Sequence, residues 1–505
     1  MGRFSFAVRG WRGYRVFAEA NVDPSSRAIR DSLRGRPPAA DTGEILRADT
    51  DTVYADGLTE AQLGEAVVFD DGGVGVVQAL LAEEVRISRL TGGKATGGVR
   101  RAGGPPTVWA GPGLRGRVVD ALGGPLDGRG PLREAHEVPM YPRPLPWLRR
   151  QWGRNLPCQI PFFDTFLPVM EGNNIVVAGA ERSGRSTLAI DLLAGVLRAG
   201  DGAMCGVYAC QSAAAGAWAR ATLEHVGVAD RVTVVVARAD GPLMARAAAA
   251  ASAVAIGGDA RSRGGRAVVV VDDVPAIAAA MDEAAGARHT CASAALLRAL
   301  RGCASVEGED VSHRLGSLTV IWVDTKRQRR DAYGACEHGV EQVITLDDPP
   351  TPLGPRSTTF AWSMTSAQPR WHYYIRKRLA LALWRGKELE TFVHMAHELD
   401  LATRATIVNS ATARELLAIR RHEHVPLPFQ SVRLICWAEG LLEDLPREQI
   451  LPFLRTLDEH LSRTAPDLLD APATGTPGWG WQANPALVSK IREHRESWRS
   501  GSGGA

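Results

Sequence analysis

Between Asn174 and Gly195 the chain reads NIVVAGAERSGRSTLAIDLLAG. A short apolar strand pattern, Ile175 to Ala178, runs into the loop Gly179-Ala-Glu-Arg-Ser-Gly184-Arg185-Ser186. The apolar period of a helix follows, with Leu188, Ile190, Leu192 and Leu193. Apart from one residue this is the phosphate-loop pattern G-x-x-x-x-G-K-[ST], in the strand–loop–helix setting that it requires. Glycines there let main-chain N–H groups turn inward around phosphate oxygens, and the helix start adds its positive dipole end. Gly179, Arg182, Ser183, Gly184, Arg185, Ser186 and Thr187 are the expected nucleotide contacts, with Ser186 placed to ligate magnesium.

The departure is Arg185, where the pattern has lysine. Lysine is a compact point charge that slides between the outer phosphates, whereas arginine is a wide planar fork and does not substitute neutrally. The loop therefore reads as one that binds a nucleotide but is poor at chemistry. The alternative is a plain Gly/Ser turn between a core strand and a core helix.

A second element supports the first. The run Ala267 to Val271 has the pattern of a buried strand and ends in Asp272-Asp273. A carboxylate at the C-terminal edge of a strand beside a phosphate loop is where magnesium or its water shell is held, so Asp272 is the first choice for that role. Acids at strand ends also serve as solvated turn formers.

What positions these residues is a chain of 505 residues, enough for about three domains. Hydrophobic residues at 45% and charged ones at 23% are ordinary for a soluble globular protein, and a net charge of +3 argues neither for nor against nucleic acid. The seven cysteines are scattered without a C-x-x-C pair, which points to reduced thiols and no zinc site. No apolar run approaches the length of a membrane span.

Residues 1–24 form a basic extension, with Arg3, Arg9, Arg12 and Arg15 interleaved with aromatic and apolar residues and no acid before Glu19. That profile reads as a mitochondrial transit peptide, with a basic arm of a bacterial protein as the alternative. Residues 25–112 read as an N-terminal arm, Ser25 to Gly35, followed by a small all-β barrel with an Asp-Asp-Gly-Gly turn at 70–73. Residues 113–378 alternate apolar strands (206–210, 231–236, 267–271, 318–323) with helical stretches, the pattern of a parallel sheet covered on both faces. From 379 to 499 no strand pattern remains and a helical bundle is expected, with residues 500–505 a disordered Gly/Ser tail.

In this order, a small barrel, a P-loop NTPase α/β domain and a helical C-terminal domain resemble the alpha subunit of F-type ATP synthases, within the rotary ATPase alpha/beta superfamily. The stretches GEILRADTDTVYADGLTEAQLGEAVVF, LRGRVVDALGGPLDGRGPL, FFDTFLPVMEGNNIVVAGAERSGRSTLAIDLL, VVVVDDV, GSLTVIWVD, VEQVITLDD and FVHMAHELDLATRATI carry the match, over roughly residues 25 to 460. The resemblance implies an alternating hexamer around a rotating shaft, with a beta subunit and the central gamma rotor as partners. It implies a peripheral-stalk contact through the N-terminal arm, and membrane association only through the complex. In such a ring the alpha subunit binds Mg-ATP or ADP without hydrolysing it, so Gly179, Gly184, Arg185 and Ser186 would hold phosphates and Asp272 would face the magnesium. The implied location is the matrix side of the mitochondrial inner membrane, or the cytoplasmic face of a bacterial plasma membrane.

Several family features are replaced. Arg182 falls where the family has glutamine and Ala180 where it has aspartate. Counted from Gly354 and Arg356, the arginine finger that stabilises transition-state charge in the neighbouring site falls on Ala367, with Arg370 nearby. The glutamines flanking adenine become Ala418-Ile-Arg-Arg-His422, and the exit of the 206–210 strand reads Gln211-Ser-Ala-Ala, with no glutamate at a general-base position. The expected function is a non-catalytic, nucleotide-binding alpha-like subunit that supports ATP synthesis by its beta neighbour. The alternative is a catalytically dead alpha paralogue acting as a scaffold or assembly factor. An active hexameric motor would need the loop lysine and a catalytic glutamate. The basic run Lys326-Arg327-Gln-Arg329-Arg330 reads as a solvated loop rather than a nucleic-acid contact. Trp479 and Trp481 read as a loop cap of the bundle, His289 with Cys291 lack further metal ligands, and Arg376-Lys-Arg378 reads as a domain junction.

Overall fold

The computed structural model describes residues 42–92, 95, 97–141, 154–238, 241–285, 292–307, 316–325, 342–346, 356–357, 370–389, 401–470, 472–476 and 480–502. The N-terminal extension and arm, the 326–330 basic run, His289 with Cys291, Gly354, Ala367 and Trp479 lie outside the described residues.

The first unit is a closed six-stranded antiparallel barrel. Thr42–Ala48, Thr52–Ala55, Val85–Arg89, Val74–Leu80, Ala66–Phe69 and Gly98–Arg101 follow one another around it, and the last pairs back with the first. Alternating residues (Val53, Val67, Phe69, Val77, Val85, Ile87, Val99) fill its interior, as the two-residue period of a strand requires. The Asp70–Gly73 turn joins two of these strands, with Phe69 N–H bonded to the Gly73 carbonyl at 2.8 Å.

The central domain is a nine-stranded sheet. Its path runs Arg356–Ser357, Gln342–Leu346, Asn174–Gly179, Gly316–Thr325, Arg266–Val271, Cys205–Cys210, Val232–Val236 and Val118–Asp120, with Ser305–Glu307 paired at the side of Gly316–Thr325. All neighbours on the path are parallel except the short Arg356–Ser357 edge. Strands buried on both faces need apolar side chains on both. That is why Ala267–Val271 reads as an unbroken apolar run, and Val232–Val236 is interrupted only by Thr233, whose hydroxyl donates to the Leu114 carbonyl. Helices Arg185–Ala199 and Ala213–His225 cover one face through Leu188, Ile190, Leu193 and Leu223. The other face is covered by Met244–Ser262, Val274–Ala285 and Ala292–Arg301. The Met244–Ser262 helix is built largely of alanine, which lets it lie close to the sheet with almost its whole length buried.

The C-terminal unit packs helices Arg370–Leu389, Leu401–Leu417, Leu427–Ala438, Arg447–Thr464 and Pro485–Ser502 around Leu379, Leu416, Ile435, Phe453, Leu457 and Ile491. One expectation is corrected here. The region is not free of strands, since Ala473–Thr476 and Gly480–Ala483 form a hairpin that includes Trp481. The 376–378 basic triplet lies inside the Arg370–Leu389 helix rather than at a junction, and the last helix runs to Ser502.

Candidate functional site

The Asn174–Gly179 strand lies at the sheet's interior, between Gly316–Thr325 and Gln342–Leu346, with Gly179 level with Thr325 and Leu346. The chain leaves its C-terminal end through residues 180–184 and enters the Arg185–Ala199 helix. This is the end of a parallel sheet where loops gather and ligands bind. Gly184 caps the helix with φ 89°, a left-handed conformation that a side chain resists. Open space surrounds the position a Cβ would take there. The first intrahelical bond runs from Leu188 N–H to the Gly184 carbonyl, 2.9 Å. The amides of residues 185–187 therefore face out of the helix end, the orphan donors that an anion satisfies. Ser183 Oγ is buried without a hydrogen-bond partner, a polar atom left waiting in the loop. Six non-glycine residues among those described have positive φ, and two of them, Arg182 (63°) and Asp273 (60°), flank this site. Backbone strain of that kind concentrates at ligand clamps.

The expected residues do come together, with one exception in role. Ser186 Oγ donates to Asp272 Oδ1 at 3.0 Å, joining loop and strand end across 86 residues of sequence. Arg182 is exposed, Ser183, Arg185, Ser186 and Thr187 are half-buried, and Asp272 is buried. Arg185 departs from its expected part, because its Nη1 donates to the main-chain oxygen of Asp324 at 2.6 Å, on the neighbouring strand. Burial raises the Asp324 carboxyl above the usual carboxylate range, and the Thr325 amide, Arg301 and Arg185 oppose that rise.

Magnesium fits this set poorly. Asp272 Oδ1 also accepts from the Asp273 amide at 2.9 Å, and Oδ2 accepts from Tyr208 Oη at 2.5 Å. Together with Ser186 these fill three of the roughly four lone-pair positions of a carboxylate. Burial pushes the Asp272 carboxyl upward, against the hydroxyls of Tyr208 and Ser186 that favour its charged form. Burial likewise raises the Tyr208 hydroxyl well above its ordinary value, with Asp272 adding to it. Among the described residues no group of three or more His, Cys, Asp or Glu could hold a metal ion.

Tyr208 and Asp324 escaped the sequence reading. The one available signal for Tyr208 was a polar-tipped ring inside the otherwise apolar CGVYAC strand, since a buried tyrosine hydroxyl needs a partner. Gln211, at the exit of that strand, is buried. Its Nε2 donates to the Asp272 carbonyl at 3.3 Å and its Oε1 has no partner. An amide there can orient a neighbour but cannot accept a proton as a general base would.

The basic run at 418–422 ties the domains together. His422 Nδ1 lies 2.7 Å from Oδ1 of buried Asp191 on the phosphate-loop helix, and His424 Nε2 lies 2.8 Å from the Asp191 carbonyl. Arg420 pairs instead with Glu415 at 2.5 Å.

Residues 160–295 match the family model described as ATP synthase alpha/beta family, nucleotide-binding domain, and residues 374–476 match the model for the C-terminal domain of the ATP synthase alpha/beta chain. The protein is 26% identical over 487 residues to an ATP synthase subunit alpha from Clavibacter sepedonicus, covering 88% of each. It is also 26% identical over 501 residues to one from Streptomyces griseus subsp. griseus, covering 91% of this chain and 94% of the relative. Two matched domains in the right order, a barrel before them and alignment to alpha subunits over 88% and 91% of the chain support a divergent alpha-like member of the ATP synthase alpha/beta family.

Proposed function

We propose that this chain is a non-catalytic, nucleotide-binding subunit of the catalytic head of an F-type ATP synthase, where it supports ATP synthesis on a neighbouring beta-type subunit. The observation that carries the reading is a phosphate cradle kept without the groups that do chemistry. Gly184, the free amides of 185–187 and Ser183 Oγ are in place. The loop lysine is replaced by Arg185, which is tied to Asp324, and Gln211 stands where a general base would. ATP or ADP would be held by its phosphates on residues 179–187.

The partners in this proposal are a beta-type subunit and a gamma-type rotor in an alternating hexamer, with the peripheral stalk reached through the N-terminal arm. Nucleic acid has no part in it. No helix among the described residues is long and apolar enough to cross a membrane, so the membrane would be met through the complex. The two bacterial relatives support the cytoplasmic face of a bacterial plasma membrane over the mitochondrial inner membrane.

The second reading, a catalytically dead paralogue serving as scaffold or assembly factor, draws on Arg185, since a fork latched to a main-chain oxygen is withdrawn from phosphate. Isolation of native complexes separates the two. Co-migration with a beta-type subunit and a rotor at equal alpha-to-beta copy number is the outcome expected for the head subunit. Absence from the rotor-containing complex would favour the scaffold.

A further inference from the structure

Every P-loop site must neutralise the charge of a pyrophosphate, and a magnesium ion ordinarily contributes much of that. The surroundings of Asp272 here leave little room for such an ion's water shell. Its Oδ1 accepts from Ser186 and from the Asp273 amide, and its Oδ2 accepts from Tyr208. Tyr208 is fully buried on the adjoining Cys205–Cys210 strand, paired in register with Arg266–Val271, and its ring is packed in the sheet's core. The hydroxyl therefore cannot swing into solvent to yield its place, and separating it from Asp272 would strand a buried polar group. Positive charge is supplied by the protein instead. Arg182 stands exposed in the loop, beside the positive dipole end of the Arg185–Ala199 helix.

We propose that this site takes a nucleoside di- or triphosphate without a divalent cation, and that Tyr208 sets the preference by occupying the Asp272 carboxylate. The inference rests on the nucleotide-binding reading above and specifies which form of the nucleotide that site selects. Tyr208 acts as a specificity-determining residue, touching the carboxylate that would order the metal's waters rather than the nucleotide.

The test is calorimetric titration of the purified full-length protein with ADP, once in excess EDTA and once in excess MgCl2. Apparent affinity weakened by more than about fivefold in MgCl2, where nearly all the ADP carries the metal, is the expected result. Affinity that magnesium leaves within about fivefold, or tightens, overturns the inference and leaves the nucleotide site standing. Binding in neither buffer removes the nucleotide site itself, and this inference with it. Tyr208→Phe keeps the ring and frees Asp272 Oδ2, so magnesium should then tighten ADP binding by more than about fivefold. A variant whose ADP binding magnesium weakens as much as it does that of the parent protein overturns the role given to Tyr208. Should the variant not fold, electron paramagnetic resonance of Mn2+ with ADP decides on the parent protein. Added protein should withdraw ADP from the metal and raise the free Mn2+ signal, and further attenuation of that signal would overturn the inference.

Discussion

Arg185 Nη1 and the main-chain oxygen of Asp324 lie 2.6 Å apart, so the one residue that breaks the phosphate-loop pattern is bonded to the next strand. The Asn174–Gly179 and Gly316–Thr325 strands are hydrogen-bonded neighbours, with Ala178 level with Asp324. The latch thus holds the first helical turn against the strand end beside it. Lysine, with a flexible stem and a compact head, would have no planar fork to lay against that carbonyl.

Arg185→Lys is accordingly expected to strengthen nucleotide binding. A charge-assisted hydrogen bond to phosphate is worth about 1.5–3 kcal/mol, so ADP affinity should rise by about tenfold or more. The lost contact to Asp324 costs less, because that strand end is half-buried and water can replace the donor. Equilibrium titration of both forms decides. Weaker binding by the lysine form would mean that the guanidinium itself grips the phosphates.

Gly195 sits in the middle of the phosphate-loop helix, where alanine would ordinarily be favoured. A Cβ there would lie 1.6 Å from the Cys158 carbonyl oxygen and 3.0 Å from His424 Cδ2. The backbone cannot move aside as a side-chain tip can, so Gly195→Ala should destabilise the protein by about 3 kcal/mol or more, the upper range for overpacking. Urea denaturation measures this. An unchanged midpoint would show that the helix does not seat against residue 158 as closely as described.

His424 gives the fold a pH dependence of known sign. Burial lowers its pKa from the ordinary 6.5 and Arg198 adds to that, while the Asp191 carbonyl and carboxylate oppose it. The unfolded protein binds this proton at a higher pH than the folded protein does. Stability from this group is therefore present above 6.5 and lost as pH falls from there through the folded value. Asp164, Asp272 and Asp324, raised chiefly by burial, act with the opposite sign from the unfolded carboxylate value upward, and a comparison of two variants cancels them. His424→Gln should lose less stability than the parent protein between about pH 6.5 and 5. Denaturation midpoints along that range check it, and parallel curves would contradict it.

How much of this was readable beforehand follows the distance over which each feature is decided. The buried parallel strands announce themselves locally, because a strand covered on both faces must be mostly apolar, as the 267–271 run is throughout and the 232–236 run is apart from Thr233. The loop at 179–187 and the acid ending at Asp272 were legible for the same reason, since residue type and spacing are set by the turn itself. The partners of those residues were not. Tyr208 meets Asp272 across 64 residues, Arg185 meets Asp324 across 139, and His422 meets Asp191 across 231. Nothing in a spacing rule links them before the sheet order is known. The Ala473–Thr476 and Gly480–Ala483 hairpin was missed because four-residue strands around glycines carry too short an alternation to register.

The most direct measurement is ADP binding by the purified full-length protein alongside Gly184→Asp and Gly184→Ala, each checked by circular dichroism. Aspartate bears the strain at φ 89° no worse than alanine does, and only aspartate puts a carboxylate into the open space at the helix start. One-site binding by the parent protein, retained in part by Gly184→Ala and weakened more than about a hundredfold by Gly184→Asp, is the predicted result. Equal binding by parent and Gly184→Asp, or none by the parent, would contradict a phosphate cradle at residues 179–187.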